Sequence, residues 1–169
     1  MMIRKETPDD IESISAVTIA AFKDHPVSQH NEQYIISALR YSKALTISLV
    51  AAIDDKIVGH IAFSPATISD GTKHWYGLGP VSVAPDYQKQ GIGRKLIETG
   101  LAELKAIGAQ GCSLVGDPDF YQKLAFKHTP HLIYEGIPQN YFLTYSFIEK
   151  EVTGHFEFHS SFKATSSIQ

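Results

Sequence analysis

The segment Val81-Ser-Val-Ala-Pro-Asp-Tyr-Gln-Lys-Gln-Gly-Ile-Gly-Arg-Lys-Leu96 carries an apolar β-type run through a two-glycine turn directly into an amphipathic helix. Few folds accept that order. At Gly91 and Gly93 no Cβ stands between the main chain and a bound anion, and the unpaired N–H groups of the opening helix point toward such an anion. The spacing predicts a strand–turn–helix unit that holds a phosphorylated ligand on backbone amides.

The rest of the chain sets this unit in a mixed sheet. Met2 to Glu6 is a strand candidate, and Thr7 followed by Pro8 reads as the cap and first position of a helix. Ile11, Ile14, Val17, Ala21 and Phe22 recur at helical spacing until Asp24-His-Pro26 breaks the pattern, and a second helix spans about residues 32–42. Residues 45–53 and 57–68 are β-rich and joined by Asp54-Asp-Lys56, and Asp70-Gly71 then turns the chain toward Trp75, giving an antiparallel meander. Leu78, Val81 and Val83 cannot share one face of a regular strand, so a β-bulge is expected at Gly79-Pro80, where the phase slips. After the turn, Ile92, Leu96, Ile97, Leu101, Leu104 and Ile107 form a helical stripe that Gly108 ends. A buried strand at 111–115, a short helix at 118–124, and strands at 132–134, 141–148 and 152–158 follow, with a flexible tail from about residue 163. The fold class is α/β (α+β), as a single domain over residues 1–169.

Composition narrows the partners. With 18 acidic against 15 basic side chains the net charge is −3, which argues against nucleic acid as the main partner. No apolar run approaches the roughly 18 residues that a membrane span needs. The single cysteine, Cys112, reads as a small apolar residue in a buried strand; no disulfide framework is possible, and a cytoplasmic protein is expected. Eight histidines invite a metal site, but no pair stands at i, i+4 on a helix with a carboxylate in the required pattern, and no metal is expected.

Two nucleotide-binding patterns fail on the letters. A P-loop needs Gly-Lys-Ser/Thr, whereas Gly93 is followed by Arg94-Lys95-Leu96; a dinucleotide fold needs a small residue at 96 and repeated βαβ units. The pattern Gln88-x-x-Gly91-x-Gly93 instead resembles the coenzyme A pyrophosphate motif of the Gcn5-related N-acetyltransferase (GNAT) superfamily. The resemblance extends over essentially the whole order of elements. The runs Gly77-Leu-Gly-Pro-Val-Ser-Val-Ala-Pro-Asp-Tyr87 and Gly116-Asp-Pro-Asp-Phe-Tyr121, with Phe126, are similar to a bacterial branch of predicted N-acetyltransferases.

That resemblance implies a GNAT fold, a mixed central sheet flanked by helices whose bulged fourth strand splays from the fifth. It implies acetyl-CoA as cosubstrate, its pantetheine arm pairing with the backbone of Val81, Ser82 and Val83. The pyrophosphate would rest on the amides of Gln88, Lys89, Gln90, Gly91, Ile92, Gly93 and Arg94. It further implies direct acetyl transfer to an amine, small-molecule or peptide, by a monomer or homodimer, with Tyr121 as general acid and the Val83 N–H, or a neighbour beyond the bulge, as oxyanion donor. Asp24 and His25 lie where the family forms its acceptor pocket.

Two positions depart from the family. Ala125 stands where a glycine usually ends the short helix, so a left-handed cap there carries a steric cost. Gly77, Leu78 and Gly79 occupy the stretch where many relatives place a glutamate base, leaving His60, His74 or ordered water to take the proton. Deprotonating a lysine-like amine at pH 7 costs roughly 4.6 kcal/mol, against roughly 1.4 kcal/mol for an α-amine, so a site without a strong base suits the weaker amine. The missing base also motivates an alternative reading, a non-catalytic acyl-CoA binding or sensing module.

Overall fold

In the computed structural model, which describes residues 1–166, six strands lie side by side. They are β1 (Met2–Lys5), β2 (Ile47–Ile53), β3 (Lys56–Ile68), β4 (Trp75–Val83), β5 (Gly111–Val115) and β7 (Phe142–Ser146), in the order β1-β2-β3-β4-β5-β7. Only β4 and β5 run parallel within this path. The two-residue β6 (Leu132–Ile133) pairs with β8 (Gly154–Glu157), which in turn pairs with the far end of β3 at Thr67 and Ile68.

Alternation along β2 sorts the core onto two faces. Leu49 and Ala51 join the cluster of α3 (Ile92–Ala106), while Val50 and Ala52 join that of α1 (Ile11–Phe22) and α2 (Glu32–Tyr41). The β2–β3 connection is a two-residue hairpin in which Asp54 and Asp55 have φ of 49° and 64°. Positive φ at both central residues matches the right-handed twist of the flanking strands. On α3 the stripe Ile92, Leu96, Ile97, Leu101 and Leu104 is buried, but Ile107 lies just past the helix and is exposed. The stripe thus ends one turn earlier than the spacing suggested, because the chain is already leaving helical geometry for Gly108, at φ +85°.

At the N-terminus Pro8–Asp10 form a 3-10 turn, and the α-helix starts only at Ile11. Asp10 explains the tighter start: its carboxylate accepts from the Thr7 N–H at 2.7 Å and pairs with Arg4 at 2.7 and 3.0 Å, drawing the turn onto β1. The later strands are shorter than expected at 132–133, 142–146 and 154–157, and the short helix α4 spans Pro118–Gln122. Of the tail expected from about residue 163, Lys163 closes a 3-10 turn over Ser160–Lys163, and the Ala164 carbonyl accepts from Asn31 Nδ2 at 2.9 Å. Residues 167–169 lie outside the described part.

The irregularity in β4 is a bulge. Ile61 faces Val81 and Phe63 faces Leu78, so Gly79 and Pro80 together oppose the single residue Ala62. The extra residue brings Leu78, Val81 and Val83 to the α3 side together, as their shared core cluster shows. Pairing between β4 and β5 runs from Trp75–Gly111 to Gly77–Ser113 and stops there. Beyond that point the two strands part in a V.

Candidate active site

The V opens into a cleft of about 780 Å³ that reaches from the start of α3 to the end of α1 and the loop before α2. Among the sequence-predicted residues it gathers Val81, Val83, Gln88, Gly93 and Tyr121. Ser82, Lys89, Gln90, Gly91, Ile92 and Arg94 are not part of its lining.

One half of the cleft is made of backbone. The Ala84 N–H donates to Val58 O at 2.8 Å, so strand alternation turns the N–H and C=O of Val81 and Val83 away from β3, toward the opening. The same alternation sets Ser82, buried and registered against His60, with its backbone groups facing β3, where they hold the sheet together. Gln88 Nε2 donates to Val83 O at 3.0 Å, so of the Val83 pair the N–H is left over. In the turn, Lys89 and Gly91 both have positive φ, 63° and 87°, and Gly91 forms the N-cap of α3. A Cβ at Gly91 would meet nothing within 4 Å, so what the glycine supplies here is the left-handed conformation. Among the described residues the backbone N–H groups of 89–94 donate to no acceptor, and Lys95 N, bonded to Gly91 O at 3.1 Å, is the first to be satisfied. The Arg94 guanidinium is turned along the helix to Glu98, 2.6 Å away and exposed, leaving its backbone N–H as what it can offer an anion. The donor set fits a diphosphate.

Tyr121 stands across the V on α4. Its ring leans on Gly116, where a Cβ would come within 2.5 Å of Tyr121 Cε2, and makes edge contacts with Phe120 and Phe126 at centroid distances of 4.9 and 5.6 Å. Burial, with a smaller contribution from Asp117, pushes the phenol up to about 12, so it keeps its proton. The turn that follows this helix closes at Ala125 with φ 68°, the left-handed conformation that a glycine would adopt without steric cost.

The other half is made of side chains. His25 lines it and Asp24 does not. His25 Nδ1 accepts from the Val27 N–H at 3.3 Å. Glu32, in the first turn of α2, also lines this half, and both its oxygens accept from Ser28 Oγ, at 2.7 and 2.8 Å. Sequence reasoning missed Glu32; its signal was an acid one residue past the loop already marked as acceptor-forming. The glutamate-free stretch of β4 has a structural counterpart. A Cβ at Gly77 would lie 2.5 Å from Phe158 Cδ1, so an aromatic ring from the C-terminal segment covers the position.

Neither histidine proposed as a base reaches the cleft. His60 is fully buried under α1 and α2, its Nε2 at 2.8 Å from Ser48 Oγ, which in turn contacts Glu6; burial lowers its pKa to about 4, against the opposing pull of Glu6. His74 is exposed in the loop before β4. Cys112 is buried in β5, and burial raises its thiol far above the ordinary value. Among the described residues no three His, Cys, Asp or Glu side chains gather as a metal site would need, and no helix is long and apolar enough to cross a membrane.

A sheet split at a bulge, with a glycine-capped helix at its mouth, defines a class. The chain matches the family described as an acetyltransferase (GNAT) domain over residues 45–128. It belongs to the GNAT acetyltransferases, and its class of reaction is acetyl transfer. It is 32% identical over 132 residues to the uncharacterized N-acetyltransferase YhbS of Escherichia coli K12, covering 78% of this chain and 76% of that one. Two solved structures are closely similar. A GNAT family acetyltransferase from Brucella melitensis in complex with acetyl-CoA aligns at TM-score 0.86 and 45% identity, over 96% of this chain and 97% of its own. Escherichia coli YhbS in complex with CoA aligns at TM-score 0.88 and 28% identity, over 98% of this chain and 93% of its own.

Proposed function

We propose that this single-domain enzyme transfers an acetyl group from acetyl-CoA directly to an amine held in the same cleft. The observation that carries the reading is the opened edge of β4 beside six backbone N–H groups, residues 89–94, that have no acceptor of their own. Bound acetyl-CoA supplies an acetyl group activated as a thioester. The amides of the turn hold its diphosphate, while Val81 and the Val83 N–H offer backbone partners to the arm that follows. An N–H of this strand past the bulge faces the carbonyl oxygen and stabilises the charge that develops on it.

Tyr121 is assigned as the general acid. With a pKa near 12 its proton is present at every working pH, and complete transfer to a thiol of pKa about 8.5 would be uphill by roughly 4.8 kcal/mol. The phenol therefore acts mainly by donating a hydrogen bond as the C–S bond breaks. The amine forms the N–C bond as the neutral species and releases one proton, and sulfur takes up one, so the balance closes. Water reaching the cleft carries off the proton of the incoming ammonium, since neither His60 nor His74 lines it. The acceptor is a small-molecule or peptide amine, and the protein works in the cytoplasm as a monomer or homodimer; a net charge of −3 offers nucleic acid no platform.

Calorimetric titration with acetyl-CoA tests the donor site. Binding in the micromolar range is expected, and none up to millimolar concentration would overturn the reading. Binding without thiol release across a broad amine panel would turn it toward a sensing module.

A further inference from the structure

We infer that the acceptor is a primary amine on an apolar, ring-bearing frame without a carboxylate, its ammonium seated on Glu32. This rests on the acetyltransferase reading above and specifies the other half of the same cleft.

Charge decides the first part. Among the described residues Glu32 and Asp117 are the acidic ones that line the cleft, and no lysine or arginine lines it. Asp117 is engaged as the cap of α4, accepting from the Asp119 N–H at 3.0 Å. Glu32 takes one hydroxyl, Ser28, which is itself held by the His30 N–H at 2.9 Å, so the carboxylate is oriented yet keeps acceptor capacity for an ammonium. An acceptor carrying its own carboxylate would meet Glu32 with no lysine or arginine on the described walls to offset it.

The walls decide the second part. One turn along α2, Ile35 shares the face of Glu32 and packs with Phe162. Phe162 stacks on Phe158 at 4.3 Å and 21°, and Tyr134 meets Phe158 edge-on at 5.2 Å and 90°. All three rings line the cleft and stay partly open to it. Phe158 is also the ring over Gly77, so the aromatic wall extends to the strand where transfer occurs. Such a wall accepts an aromatic frame and, beside a carboxylate, favours a nearby cation.

The test uses the full chain, saturating acetyl-CoA and thiol release with three probes: 2-phenylethylamine, phenylalanine and n-propylamine. The expected kcat/KM for 2-phenylethylamine exceeds that for phenylalanine by about 100-fold, and that for n-propylamine by about 10-fold or more. Glu32→Gln should raise KM for 2-phenylethylamine about 10-fold, with kcat and calorimetric acetyl-CoA affinity unchanged, and Glu32→Asp should recover part of the loss. Phenylalanine or propylamine used as well as 2-phenylethylamine, an unchanged KM in Glu32→Gln, or no turnover of 2-phenylethylamine while acetyl-CoA binds would each overturn the acceptor class. Failure to bind acetyl-CoA would instead strike the donor site, and the acceptor class with it.

Discussion

The two halves of the cleft are built from different materials. The proposed donor half consists of main-chain groups from one continuous stretch, residues 81–94, whose shape follows from a bulge, two glycines and a helix start. The proposed acceptor half is assembled from side chains far apart in sequence: His25 and Glu32 from the first third, Tyr134, Phe158 and Phe162 from the last. A backbone site recognises what every ligand of the family shares and depends little on neighbouring side chains. A side-chain site takes its selectivity from which segments meet, so it can change while the donor half stays the same. Tyr121 stands on the β5 side of the V, and the largest effect is expected there. Tyr121→Phe should lower kcat by about 100- to 1,000-fold while leaving acetyl-CoA affinity within twofold. Steady-state kinetics beside calorimetry checks this, and an equal loss in both would make the tyrosine part of the donor half instead.

Gly91→Val probes the backbone half alone. The new side chain sits at φ +87°, where a β-branched residue is strained, so the turn whose N–H groups are proposed to hold the diphosphate is distorted. Acetyl-CoA affinity should fall by about 100-fold, roughly 2.7 kcal/mol. The KM for the amine should be unchanged, and a matching rise there would show that the halves are coupled.

That division also explains what was legible in the chain. The proposed donor half could be read because its determinants are local: the phase slip at Gly79-Pro80 announced the bulge, and Gly91-x-Gly93 announced the glycine-capped turn into α3. Ala125 was legible in the same way, and its φ of 68° is the strained cap expected of it. The acceptor half was not. Nothing in the local pattern around Phe158 says that its ring covers Gly77, because that contact depends on β8 pairing with the far end of β3. His60 misled for a related reason. Being on a central strand places it near the cleft in sequence logic, but the pleat sends its side chain to the α1–α2 face, where it meets Ser48 while Arg40 pairs with Glu6.

The pH dependence of stability separates that buried face from the cleft. The folded state keeps His60 neutral down to about pH 4, whereas an unfolded histidine takes up a proton near pH 6.5. Stability should therefore be complete above about pH 6.5 and fall toward pH 4, by at most about 1.4 kcal/mol per pH unit. Urea unfolding across that range should show the slope in the parent protein and its loss in His60→Gln. The pH–rate profile should be the same in both. If His60→Gln moved the profile, the acceptor half would have to extend through the sheet to the Glu6–Arg40 pair.

The smallest effect tests whether strain in the tyrosine's support matters to either half. Ala125 holds the left-handed position after α4, and the Phe126 N–H closes the turn onto Tyr121 O at 3.1 Å. Glycine there removes about 1–2 kcal/mol of steric cost and adds about 0.4–1 kcal/mol of unfolded-state entropy, so Ala125→Gly should stabilise the protein by about 0.5–1 kcal/mol. For a chain of this length that is a rise in Tm of about 1–4 °C, measurable by calorimetry. The backbone already adopts the glycine conformation, so the tilt of Tyr121 has no reason to change and kcat should stay within twofold. A rise in stability accompanied by a large change in kcat would mean that the alanine's strain is transmitted to the phenol. The turn would then belong to the catalytic machinery rather than to the scaffold beneath it.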